Sequence, residues 1–314
     1  MDHSGHGTGL LPFTLGRGLA WSADPFFLVA CLAGLALYGW GVVRLVRRGD
    51  KWPVGRTVAF VAGVLLVMLV TCTGLNDYGM VMFSVHMVQH MIVSMVAPIM
   101  LLLGAPVTLA LRALPVAGRG RKGPRELLLM FLHSWYMKIV THPAFTIPMF
   151  IASLYGLYFT PVFDFLMGST LGHIVMMTHF LLVGLFFFWP IMGVDPGPHR
   201  PGYLMRMLEL FAGMPFHAFF GIALMMASAP MVKTYENPPA SLGIDALTDQ
   251  NAAGGIAWAF SEIPSVLVLL ALLFQWYGSE QRQARRADRA ADRDGDKELE
   301  AYNAYLASLD ARGR

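Results

Sequence analysis

The sequence predicts an all-α, polytopic membrane protein: a seven-transmembrane-helix bundle with its N-terminus outside and its C-terminus cytoplasmic. Three observations carry this. Apolar residues fill 56% of the 314 positions and charged residues only 14%, where a soluble domain carries about a quarter charged. The mean hydropathy is +0.54, and the apolar residues gather into runs near the ~20 residues that cross a bilayer as a helix. Lysine and arginine fall in alternate connections, as cytoplasmic loops require.

The spans follow in order. The first covers residues 26–46, the second 57–74, and the third 80–103, with Pro98 as its expected kink. The fourth covers 143–159, the fifth 170–192, the sixth 203–227 and the seventh 255–277. The basic connections hold Arg44, Arg47, Arg48, Lys51 and Arg56, then Arg112, Arg119, Arg121, Lys122 and Arg125, then His199, Arg200 and Arg206; the tail opens with Arg282, Arg285 and Arg286. The alternate connections, 76–78, 160–169 and 228–254, contain a single lysine or arginine, Lys233. Residues 126–142 mix Leu127, Leu128, Phe131, Leu132, Trp135 and Tyr136 with His133 and Lys138, the pattern of an amphipathic helix on the inner surface. Three parts result: an extracytoplasmic histidine-containing segment at 1–24, a membrane domain at 25–278, and a charged cytoplasmic helical tail at 279–314. In that tail Leu299, Tyr302, Tyr305, Leu306 and Leu309 recur at near-helical spacing, as a partner-docking or a solvated helix would have them. The first 24 residues lack the basic start and short apolar core of a signal peptide and are expected to be kept. The net charge of +3 collects on one side of the bilayer and gives no reason to invoke nucleic acid.

Histidine within a span is costly unless paired and points to function. In Met80-Val-Met-Phe-Ser-Val-His86-Met-Val-Gln-His90-Met-Ile-Val-Ser-Met95, His86 and His90 are four apart and share a helix face. At about 1.5 Å per residue, His86 lies about 8 to 9 Å and His90 about 15 Å from the outer end of their span. The same arithmetic puts His173 about 5 Å, His179 about 14 Å, His217 about 15 Å and Glu262 about 11 Å from the outer ends of theirs. Five histidines and a carboxylate thus occupy the outer half of four spans, where independent scatter would favour neither leaflet. His173 and His179, six apart, need not face the same way. The alternative is a set of separate core histidines bonded to neighbouring helices.

The neighbours suggest the metal. The chain has 10 histidines and 21 methionines. Met80, Met82, Met87, Met91, Met176, Met177, Met214, Met225 and Met226 surround this region, and thioether with imidazole suits Cu(I), although methionine is also ordinary core filler. Cys31 and Cys72 read either as a thiol pair handing on copper or as small buried cysteines. In Met1-Asp2-His3-Ser4-Gly5-His6, His3 behind a free amine offers the square-planar nitrogen set of Cu(II), with His6 as a second imidazole; without the free amine they are a polar tail. Asn76-Asp77-Tyr78 reads as an external turn at a site entrance, and Trp189-Pro190 with Asp195-Pro196-Gly197-Pro198 as a helix end and tight turn. Neither G-x-S-x-G, nor a P-loop, H-E-x-x-H or CxxC occurs, so hydrolytic or nucleotide-driven chemistry has no visible machinery.

His86-Met-Val-Gln-His90-Met, Ala97-Pro98 and Gly104-Ala105-Pro106 resemble the third-span signature of the CtaG-type bacterial cytochrome c oxidase assembly factors. His179-Phe-Leu-Leu-Val-Gly184, Trp189-Pro190, Gly193-Val-Asp195-Pro196, Met214-Pro-Phe-His217-Ala-Phe-Phe-Gly221 and Glu262-Ile-Pro264 are similar to the same family, in the same order, over about residues 20 to 280. The resemblance implies a multi-pass factor of the bacterial plasma membrane, not an enzyme, that matures a haem–copper oxidase by serving its copper centres, with His86, His90, His179, His217 and Glu262 as the matching positions. The expected partners are cytochrome c oxidase subunits, membrane lipid and a copper donor protein. The expected ligands are His86, His90, His179 and His217, with His173, Glu262, Met87 and Met91 around them and His3 and His6 as collectors. Two alternatives stay open: a bis-histidine haem electron-transfer protein, and a metal-free scaffold that docks oxidase subunits.

Overall fold

The structure is a computed structural model that describes residues 10–118, 121–294 and 297–312; His3 and His6 lie outside the described residues. Among these residues the chain is helical, and no strand forms. Cα proximity divides it into two compact units, Met1–Val268 and Leu269–Arg314.

The helix that positions the site is α3, residues 83–103, and the elements before it build its surroundings. Helix α1, Pro25–Arg47, starts where the Asp24 carboxylate accepts from the Phe26 and Phe27 amides (2.9 and 3.2 Å), with Pro25 at the first turn. Helix α2 is Val54–Thr71, and a short helix, Gly74–Gly79, leads into α3. Helix α3 is the most buried of the long apolar helices. It consists of Phe83–Met91, a π turn at Ile92–Val96, and Ala97–Leu103. The irregularity expected at Pro98 therefore falls a turn earlier. Proline has no N–H, so the ladder loosens before it, and the Ser94 hydroxyl donates to the His90 carbonyl at 2.7 Å. Ala105, with φ 51°, turns the chain into α4, Pro106–Ala113.

Residues 126–142 do not form one helix. They form α5, Pro124–Leu132, and α6, Trp135–Val140, because Ser134 caps the second by accepting from the Met137 amide at 3.3 Å. Ahead of α5, Glu126 accepts from the Ala117 and Gly123 amides (3.1 and 3.0 Å). The Ala117 bond leads in holding its carboxyl below the ordinary carboxylate value.

Helix α7 is Pro143–Tyr158, α8 Val162–Met167, α9 Thr170–Met192 and α10 Tyr203–Met226. Helix α11, Ala246–Asp294, runs well past both ends of the expected seventh span, and α12 is Lys297–Arg312. Helix α9 continues through Pro190 and stops at Gly193, in the left-handed region at φ 58°, with the bounds expected of the fifth span. Among the described residues six helices are long and apolar enough to cross a membrane; α7 is apolar but has only 16 residues, about 24 Å against a hydrocarbon core of about 30 Å. It nevertheless packs in the bundle beside α9 and α10, where Phe150 stacks on Phe187 at 4.3 Å and the Tyr155 hydroxyl donates to the Phe216 carbonyl at 2.7 Å. Val29, Leu37, Leu171, Leu182, Phe211 and Phe219 point outward and exposed, as a lipid-facing belt requires.

Glycine permits the closest crossings. A Cβ on Gly184 of α9 would stand 2.2 Å from the Ser94 carbonyl oxygen in the π turn of α3, and one on Gly221 would stand 2.6 Å from the Gly254 oxygen. These contacts bring α9 onto α3, and α10 onto α11, around the same histidines.

Candidate functional site

The N-terminus of α3 is fixed from α11. Asp249 accepts from the Phe83 amide at 2.5 Å and the Ser84 amide at 3.3 Å, and from the Ser84 hydroxyl. This is a charged cap supplied 166 residues along the chain. At the far side of the bundle Asp195 does the same for α4, accepting from the Val107 and Thr108 amides (3.1 and 2.7 Å) and the Thr108 hydroxyl at 2.6 Å. The Gly193-Val-Asp195-Pro196 and Gly104-Ala105-Pro106 stretches thereby meet. Gln89 donates to the Val70 carbonyl at 2.6 Å and ties α3 to α2. The helix that carries His86 and His90 is thus held in rotation and in height.

Both imidazoles are buried, at 0% and 2% exposure, and His217 of α10 is buried at 2%. His86 Nε2 is 2.9 Å from the Tyr158 hydroxyl of α7, and its ring meets Phe163 edge-on at 5.1 Å and Tyr235 at 6.0 Å. One turn along, His90 lies against Phe180 at 4.0 Å and Tyr158 at 5.7 Å. Its ring centroid is 6.2 Å from that of His217, the planes inclined by 26°, and His217 in turn meets Phe150 at 5.0 Å. Of the histidines expected to share a site across the third, fifth and sixth spans, His90 and His217 lie side by side.

These rings are short of partners. Both nitrogens of His90, Nδ1 of His86 and Nε2 of His217 are buried without a hydrogen bond. A neutral imidazole presents one N–H and one lone pair, and each left unpaired inside costs about 1–3 kcal/mol. Aromatic rings form the walls. Beside His217 there is a cavity of only about 10 Å³, lined in part by Gly213, Met214, Ser261 and Ser265, room for about one water. A haem macrocycle has no matching space there.

The other expected residues are placed differently. His179 lies within electrostatic reach of His90, but it is half-buried and hydrogen-bonded to Ser153 Oγ at 2.9 Å, on the wall of a cavity of about 550 Å³ along α7. His173 is 4% exposed, with Nε2 unpartnered, and lines a separate cavity of about 350 Å³ with Asn76 and Asp77. Glu262 is half-buried; the α11 side chains that reach the His217 cavity are Ser261 and Ser265, because the next residue on a helix is turned by about 100°. Met87 and Met91 are fully buried and follow His86 and His90 directly, each turned by about 100° around the helix from the histidine before it. Cys31 and Cys72 are free and buried. Among the described residues no three His, Cys, Asp or Glu side chains converge as a metal ligand set.

Sequence reasoning missed Tyr158, Phe163 and Tyr235, which form the aromatic cage, and Asp249, which anchors it. Asp249 had a signal: a polar run, Thr248-Asp249-Gln250-Asn251, directly before an apolar helix marks an N-terminal turn. The aromatic residues had none, since a buried aromatic is the ordinary content of a core.

The model of the cytochrome c oxidase caa3 assembly factor family matches residues 36–279, which include α2 to α10 and the first part of α11. An uncharacterized protein of Mycobacterium bovis is 46% identical over 304 residues, which are 95% of this chain and 46% of that protein. An uncharacterized protein of Mycobacterium tuberculosis matches to the same extent. A third, of Mycobacterium leprae, is 48% identical over 274 residues, 86% of this chain and 41% of that protein. The chain spans about half the length of these curated relatives. No solved structure matches. On the match over residues 36–279, the chain belongs to the cytochrome c oxidase caa3 assembly factor family.

Proposed function

We propose that this chain acts in cytochrome c oxidase assembly by holding Cu(I) between His90 and His217, with His86 one turn along as the next imidazole, and releasing it to the oxidase. The observation that carries this reading is His90, a buried imidazole with both ring nitrogens unpartnered, facing a second imidazole whose ring centre is 6.2 Å away. Two rings bound end-on to one ion stand about 6 Å apart at about 2 Å per metal–nitrogen bond. Two nitrogens are too few for a closed four-ligand zinc site, and imidazole in an apolar, water-poor cage suits a low-charge copper ion. An ion there would give one nitrogen of each of the two rings a partner. The protein's own residues orient the imidazoles: Tyr158 bonds His86, Ser94 secures the His90 carbonyl, and Phe180 and Phe150 keep water out. Oxidase subunits are the receiving partners and a separate donor supplies the ion; the role asked of the chain is binding and release, without turnover of a substrate.

We also place the end of the bundle formed by the connections 72–82, 159–169 and 227–245 outside the plasma membrane, and α7 as a short seventh span. The support is the lysine and arginine of the opposite connections and the packing of α7 beside α9 and α10.

The test is Cu(I) titration of the whole chain, purified in detergent without oxygen, against a chromogenic Cu(I) chelator. The wild type should take up one tightly held ion per chain. His90→Ala with His217→Ala should weaken that binding by about a hundredfold or more. Unchanged tight binding in the double variant would refute the assignment.

A further inference from the structure

The cavity that contains His173 opens at the same end of the bundle as the short Gly74–Gly79 helix, and its walls carry unusual chemistry for an apolar protein. It holds about 350 Å³ between Asp24, Asn76, Asp77, Met80, Thr170 and His173. Two of its polar atoms, His173 Nε2 and Asn76 Oδ1, are buried without a hydrogen-bond partner, and the His173 side chain as a whole is 4% exposed. Asp24 acts electrostatically on His173; one of its carboxylate oxygens caps α1, so it contributes charge more than ligation. His173 sits in the first turn of α9, where the helix dipole disfavours a cation, and the two carboxylates offset that field. His173 is also an electrostatic neighbour of His86, and the rings of Phe163 and Tyr235 pack around His86.

We propose that this vestibule is a second, weaker cation site, in which His173 Nε2, the Met80 thioether and Asn76 Oδ1 take up Cu(I) and pass it by way of His86 to the His90–His217 pair. The site rests on the copper reading of that pair for its destination, while its own ligands are different residues on different elements. Carboxylates attract the cation, and the imidazole and thioether select a soft one. The larger vestibule with its two carboxylates suits capture, whereas the aromatic cage suits retention. Transfer is ligand exchange at constant oxidation state, one imidazole replacing another on the ion, with no electron or proton supplied from elsewhere.

The test uses Ag(I), a redox-inert analogue of Cu(I), and Cu(I) itself, on the whole chain in detergent. In the His90→Ala, His217→Ala double variant one weaker equivalent of Ag(I) should remain. Adding His173→Gln or Met80→Leu should weaken that equivalent by about tenfold or more. In the otherwise wild-type chain, His173→Gln should leave the tight Cu(I) stoichiometry intact and slow its loading by about tenfold. Weak binding and loading rates indifferent to both substitutions would overturn the vestibule while leaving the inner pair standing. A His173-dependent weak site in a chain with no tight Cu(I) would instead remove the inner pair, and with it the vestibule's loading role.

Discussion

His90 shows how a single side chain can be polar, buried and left without partners at once. Its neighbour His86 resolves one of its nitrogens through Tyr158 at 2.9 Å, so the two histidines of one helix face are not equivalent. Replacing Tyr158 by Phe should cost about 1–2 kcal/mol, read as a lower melting temperature in detergent, because Nε2 of His86 then joins its Nδ1 without a partner. Gly184 is equally specific. Its missing Cβ would stand 2.2 Å from a backbone oxygen, and Gly184→Ala should separate α9 from α3 at a cost of about 1–3 kcal/mol or more. That loss should be accompanied by weaker Cu(I) binding, since His90 and the Phe180 ring that packs on it sit on these two helices.

At the level of elements, the ends of α3 and α4 are set by carboxylates from remote helices and connections, not by their own flanking residues. Asp249→Ala removes the cap of α3 and should destabilise the fold by about 1–2 kcal/mol; Asp249→Asn, which keeps an acceptor oxygen, should lose less. The connection ahead of α5 is closed by Glu126, whose carboxyl titrates below its ordinary value because of the Ala117 and Gly123 amides. The sign follows from that direction: the ionised form stabilises the folded connection above the unfolded pKa, and the contribution disappears as pH falls through the folded one. Exchange of the Ala117 and Gly123 amides with deuterium should therefore quicken at acid pH once intrinsic rates are divided out, and Glu126→Gln should abolish that dependence.

The whole molecule joins an apolar outer belt to a polar line inside. Two single cysteines test how it sits in the membrane: Ser241→Cys in the connection after α10 should react with an impermeant maleimide from outside intact cells, and Val116→Cys only after permeabilisation. The reverse pattern would invert the orientation. Ligand linkage tests the site as a unit. Cu(I) at about a hundred times its dissociation constant should stabilise the wild type by about 2.7 kcal/mol, and the His90→Ala, His217→Ala variant by far less.

The all-helical membrane architecture was readable from composition and run length alone, because a chain in hydrocarbon must satisfy its backbone within each helix and so declares its spans as apolar stretches. The order of the helices, and the places of His86, His90 and His217 along them, followed from the same runs and the regular rise per residue. Rotation did not. Only packing decided that Ser261 and Ser265 face His217 where Glu262 is expected, and that His173 belongs to a vestibule of its own. The bilayer makes hydropathy a measure of depth, but which way a side chain points is set by crossings such as Gly184 on Ser94 and caps such as Asp249 on Phe83, contacts between residues far apart in the chain.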